Sequence, residues 1–111
     1  MATFGVVWDE EANLCEVTFD GSTAFDGAAN AETLWTKGGY LKRITWSVPT
    51  LADSVTFRNE SATGIKLFPT MTMDIEKVGN VYFDNLPCFP YVVGNEVTDG
   101  TVAVFEFVPR K

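Results

Sequence analysis

A chain of 111 residues with 46% apolar side chains can build one ordinary hydrophobic core without metals or obligatory cross-links, so one domain is expected. The net charge of −7 is unevenly placed: residues 1–36 carry Asp9, Glu10, Glu11, Glu16, Asp20, Asp26 and Glu32 with no Lys or Arg, whereas acidic and basic residues balance from Lys37 onward. That distribution argues against a nucleic-acid binder, which needs cations against phosphates, and no run approaches the roughly 20 apolar residues of a membrane helix.

The first residues, Met-Ala-Thr-Phe-Gly, lack the basic and apolar regions of a signal peptide, so the expectation is a protein not directed to export. Phe4 to Trp8 and Leu14 to Phe19 read as a strand pair joined by the acidic loop Asp9-Glu10-Glu11-Ala12-Asn13. Residues 20–40, rich in Gly, Ala, Ser, Asn and Thr, are the most linker-like stretch. Within it, Ala28 to Lys37 ends at Gly38-Gly39 and fits a short helix or a loop equally well.

Alternation is clearest from Leu41 to Pro49, where Ile44, Trp46 and Val48 fall on one side and Arg43, Thr45 and Ser47 on the other, the mark of a half-buried strand. Val55 and Phe57 continue the inward pattern, with Ser54, Thr56 and Arg58 outward, before the polar turn Asn59 to Gly64. Further runs pair Ile65 with Leu67, Met71 with Met73 and Ile75, and Val81 with Phe83, punctuated by Pro69, by Lys77 to Asn80 and by Asn85 to Pro90. After the turn Thr98-Asp99-Gly100, residues Thr101 to Val108 are apolar on both faces, which places this strand centrally in a sheet or under another subunit. The fold class is therefore all-β: a single antiparallel β-sandwich, jelly-roll or immunoglobulin-like, of residues 41–111, carrying an acidic N-terminal hairpin or arm in residues 1–40.

With no His in the chain, Ser-His-Asp and Cys-His arrangements and the usual structural zinc sites cannot be assembled from one copy. Asp74, Glu76 and Asp84 are the remaining carboxylates for acid–base work, but Asp74 and Glu76 alternate with apolar residues and read as solvent-facing strand positions. No glycine-rich phosphate loop is present. Asp20, Asp26 and the Asp9-Glu10-Glu11 cluster offer calcium hard oxygen donors, without the spacing of a calcium loop and in a context that turn geometry explains. Cys15 and Cys88 are expected as buried free thiols. No enzymatic activity, cofactor or metal is expected.

Aromatic residues are the most suggestive functional feature. Trp8 and Trp46 follow the inward pattern, whereas Trp35 and Tyr40 do not and are candidates for a contact surface. The apolar segment Leu86 to Val93 adds Phe89 and Tyr91 as candidates for a subunit interface.

Four segments carry a resemblance: Leu-Lys-Arg-Ile-Thr-Trp-Ser-Val, Asp-Ser-Val-Thr-Phe-Arg-Asn-Glu, Val-Tyr-Phe-Asp-Asn-Leu-Pro and Asp-Gly-Thr-Val-Ala-Val-Phe-Glu-Phe. Together, from Leu41 to Phe107, they resemble the small β-sandwich decoration or cement subunits of bacteriophage capsids. The resemblance transfers no catalytic or ligand residue and leaves residues 1–40 unmatched. It implies a structural virion protein made in the host cytoplasm, assembled with itself, a trimer being one arrangement, and with a major capsid or other virion protein, and released on lysis. The acidic arm would then thread onto a neighbour, so that deleting residues 1–36 would weaken assembly and spare the sandwich. The alternative is a carbohydrate-binding or host-adsorption module that stacks sugars on Trp35 and Tyr40.

Overall fold

The computed structural model describes residues 2–9, 11–27 and 40–108. It is an all-β molecule in which a five-stranded antiparallel sheet packs on two smaller sheets, as a β-sandwich requires. In chain order the strands are β1 (Gly5–Asp9), β2 (Leu14–Thr18), β3 (Phe25–Asp26), β4 (Tyr40–Ser47), β5 (Ser54–Val55), β6 (Arg58–Asn59), β7 (Met71–Thr72), β8 (Val78–Leu86), β9 (Pro90–Val92) and β10 (Val102–Val108), with a 3-10 turn at Gly94–Glu96. The large sheet runs β1-β2-β10-β4-β8; β3-β9-β6 and β5-β7 make up the smaller ones.

The acidic hairpin exists, since β1 and β2 pair antiparallel with Trp8 opposite Cys15. It is not an appended arm. β2 pairs directly with β10, and Cys15, Val17, Phe19 and Phe25 are all buried in the one core cluster. The cause lies in the sequence of β10, whose two apolar faces suit a strand paired on both sides, so that the hairpin completes the sheet beside it. The expectation that residues 1–36 could be deleted without loss of the sandwich is therefore corrected. The helix-or-loop candidate from Ala28 to Lys37 lies outside the described residues.

Alternation determines which face is inside. Ile44 and Trp46 of β4, Ala103, Phe105 and Phe107 of β10, and Cys15 and Val17 of β2 are buried, and their neighbours along each strand are half-buried or exposed. Aromatic rings join the layers. Phe25 of β3 stacks on Phe105 of β10 at 5.4 Å, and Phe57 meets the same Phe105 edge-on at 5.8 Å. Trp46 stacks on Phe68 at 5.4 Å and tilts against Phe57 at 5.7 Å. Such pairs contribute roughly 0.5–1.5 kcal/mol each beyond their area burial. The indole N–H of Trp46 donates to Met73 Sδ at 3.3 Å, so the polar end of the largest buried side chain is matched.

The run around Met71 departs from its pattern. Met73 is buried, but Met71 is exposed and Ile75 is 91% exposed. The strand lasts only two residues: the amide of Asp74 turns back to the carbonyl of Thr72, which carries Ile75 away from the core. Ile65 is likewise exposed, at 84%. Thr56, expected outward, is buried; its hydroxyl shares a 2.8 Å hydrogen bond with that of Thr70, which removes the penalty of burying it.

Candidate interaction surfaces

The residues singled out by their aromaticity do not come together in one place. Tyr40 begins β4 opposite Val108 in the five-stranded sheet. Phe89 packs against the core cluster, and Tyr91 sits half-buried in β9 between Asp26 of β3 and Arg58 of β6. The segment from Leu86 to Val93 is thus a structural part of the second layer, with Cys88, Pro90 and Val92 buried. Trp35 lies outside the described residues.

The acidic loops have their own local explanation. One carboxylate oxygen of Asp20 accepts from the amides of Ser22 and Thr23 at 2.9 and 2.7 Å, and the other accepts from the Thr23 hydroxyl at 2.7 Å. These hydrogen bonds, led by the Thr23 hydroxyl, lower the pKa of Asp20 to about 2. Asp9 caps the amide of Ala12 at 3.0 Å, and Asp99 accepts from the amide of Ala2 at 2.8 Å. Among the described residues no group of three or more His, Cys, Asp or Glu could hold a metal ion. Both thiols are free and buried, and burial pushes Cys15 and Cys88 up to about 12.

Two shallow grooves differ in their lining. One, about 310 Å³, is lined by Ser54, Thr56, Asn95, Glu96, Val97 and Thr98 and offers no aromatic ring for sugar stacking. Beside it, Arg58 forms a two-pronged ion pair with Glu96 at 2.8 and 2.9 Å, which ties β6 to the 3-10 turn and holds the Glu96 carboxyl below the usual carboxylate range. The other groove, about 250 Å³, lies between Ile65, Leu67, Leu86 and Cys88.

Among the described residues, several exposed apolar side chains gather on the outer face of the five-stranded sheet. Residues directly opposite one another across antiparallel strands share a face, so the register defines its rows. Val7, Glu16, Val104, Thr45 and Asn80 form one; Thr18, Val102, Ser47 and Val78 form the next; Leu14, Glu106, Arg43 and Tyr82 form the third. Val7, Val78 and Tyr82 are 63%, 53% and 66% exposed, and Val102 and Val104 are half-buried between them. Arg43 and Glu106 neutralise each other on this face, and Glu16 stands exposed between Val7 and Val104. Arg43 pairs with Glu106 on the neighbouring strand, donates to the Tyr82 hydroxyl at 2.9 Å and lies 5.3 Å from the Tyr82 ring centre. The result is a face on which four valines, a leucine and a tyrosine lie among threonine, serine, asparagine and charged residues.

Periodicity exposed this surface only in part. The double apolar character of β10 marked Val102 and Val104, but Val7, Val78 and Tyr82 join them only through pairing between strands far apart in sequence. Comparisons of the chain with known protein families, with curated proteins and with solved structures found no match.

Proposed function

We propose that the chain is a non-catalytic structural subunit of a bacteriophage virion, a capsid decoration or cement protein, that attaches to a shell protein and to copies of itself through the five-stranded sheet. The observation that carries this reading is the outer face of that sheet, where exposed Val7, Val78 and Tyr82 and half-buried Val102 and Val104 lie around a self-neutralised Arg43–Glu106 pair. An antiparallel sheet whose outer face meets only water ordinarily presents polar residues there, and the valines and tyrosine set among the polar residues of this face suit packing against another protein. The sequence resemblance from Leu41 to Phe107 supplies the kind of partner: a capsid or other virion protein.

The test is to purify virus particles from the producing culture and measure the chain in them by quantitative mass spectrometry. Copy numbers in simple proportion to the major shell protein are expected. Recovery of the chain solely from the particle-free fraction sinks the reading. A Val104→Lys variant, altered at the centre of the outer face, should stay folded and lose its place on the particle.

A further inference from the structure

We infer that β8 is a self-pairing edge: a second copy of the chain adds to it antiparallel, with Asn80 opposite Asn80, to join the two five-stranded sheets into one continuous ten-stranded sheet. The inference rests on the reading of the chain as an assembling subunit and names the contact by which two copies meet.

The hydrogen-bond phase of β8 comes first. The amide of Val48 donates to the carbonyl of Lys77 at 2.8 Å, and Ser47 is opposite Val78. In an antiparallel ladder, alternate residues bond to the same neighbour, so Lys77, Gly79 and Val81 direct their backbone groups to β4 while Val78, Asn80 and Tyr82 direct theirs away from it. Among the described residues no strand lies beyond β8. A row of such groups is a template for another strand, and natural edges are usually guarded by charge, proline, short length or a bulge. From Val78 to Phe83 there is no charge and no proline; the irregularity in pairing lies beyond Tyr82.

The second step is self-complementarity. A two-fold axis through Asn80 sets all three outward-bonding residues to work: Asn80 pairs with Asn80, and Val78 with the second copy's Tyr82, twice over. Those are the exposed apolar residues of this strand, at 53% and 66%, and they fall on the same face. An aliphatic side chain opposite an aromatic one is a favourable cross-strand pair. The register sets the uncharged stretch from Val78 to Phe83 of each copy against that of the other, and the acidic residues Glu76 and Asp84 of opposite copies meet only beyond its ends. A net charge of −7 opposes association elsewhere on the surface, and the uncharged stretch of β8 is where two copies approach without like charges. The arrangement closes at two copies, because each β8 is used once.

Sedimentation equilibrium of the full chain tests this, with circular dichroism to verify folding. The native chain should dimerise, and Asn80→Pro should weaken dimerisation about tenfold or more by deleting an edge N–H in each copy while sparing the ladder to β4. If Asn80→Pro disturbs folding, Asn80→Lys decides, since it changes only an exposed side chain on the edge. Register is read by Asn80→Cys, whose two copies would stand about 5.5 Å apart between Cα atoms, within disulfide reach. Oxidation should link it far faster than Val7→Cys on the opposite edge. A native chain that is monomeric throughout, edge variants that dimerise as the native chain does, or equal linking of the two cysteine variants would each overturn the inference. A monomer still found on particles leaves the proposed function standing; a β8 dimer absent from particles refutes only that function.

Discussion

The two edges of the five-stranded sheet are built from the same kinds of residue and present opposite problems. At one end β1 is five residues long, and by the same ladder phase only Val6 and Trp8 turn their backbone groups outward, because the Phe107 amide bonds to the Asn13 carbonyl and so fixes β2 against β10. It runs into Asp9, Glu10 and Glu11, charges that oppose a second copy. At the other end β8 is nine residues long, uncharged from Val78 to Phe83, and unpaired on its outer side among the described residues. An edge is therefore protected less by its apolar content than by its length and by what charge stands at its end.

The largest effect expected from breaking this comparison is loss of the fold. Removing residues 1–36 takes away β1 together with β2, and with them Cys15, Val17, Phe19 and Phe25 from the core. The truncated chain should lack a cooperative urea transition; a truncated chain with near-native stability would show that the hairpin is an accessory after all. The β8 side has its own anchor. A Cβ on Gly79 would lie 2.6 Å from Trp46 Cζ2, so Gly79→Ala must push the strand off the indole and should cost about 1–3 kcal/mol. Trp46→Ala, which empties the space instead, should cost about 3–5 kcal/mol in the same urea measurement. A Gly79→Ala variant as stable as the native chain would mean that β8 is not seated on Trp46.

How much of this was legible in the sequence depends on the range of the interaction that decides it. Ile44, Trp46 and Val55 announced themselves by alternation, since the inward side of a strand is a local property of period two. The central place of β10 was legible for a related reason: Val102 and Val104 opposite Ala103 and Phe105 leave no polar face to give to water. The order β1-β2-β10-β4-β8 was not, because it joins Thr18 to Val102 and Ser47 to Val78, and nothing near either residue specifies its mate. The misreadings have local causes as well. Ile75 follows a period that the backbone abandons at Asp74, and Thr56 is buried because Thr70, fourteen residues on, completes its hydrogen bond. The candidate surface suffered most, because a sheet face is assembled from single residues of several strands, whereas the aromatic signal drew attention to Phe89, which turns to the core.

A smaller effect separates acid-sensitive structure in the second layer from the edges. Glu96 is held below the usual carboxylate range by its hydrogen bonds to Arg58, so its contribution to stability is complete above its ordinary value near 4.3 and is lost as pH falls through its lowered one. Asp20, with its hydrogen bonds to Ser22 and Thr23, keeps its charge until pH is about 2. Urea midpoints should therefore decline below about pH 4, and Glu96→Gln should lower the neutral-pH midpoint and flatten the decline. An unchanged slope in that variant would assign the acid sensitivity to other carboxylates. Dimerisation through the uncharged stretch of β8 should persist into this range as long as the fold does.

The smallest effect is the sharpest on the comparison itself. Val7 is exposed on the same outer face as Tyr82, but its backbone groups bond to β2, so Val7→Lys adds charge at the β1 edge without touching the ladder. Stability should change by no more than about 0.5 kcal/mol, as for ordinary surface substitutions. Self-association measured by sedimentation should also stay as it is, because β1 offers only two outward-bonding residues whatever its charge. A rise in association would mean that Asp9 and its acidic neighbours alone keep β1 from pairing, and the difference between the edges would then be one of charge. With association unchanged, length decides it: β8 has room for three outward-bonding residues in a straight run, and β1 ends before a second strand can be held.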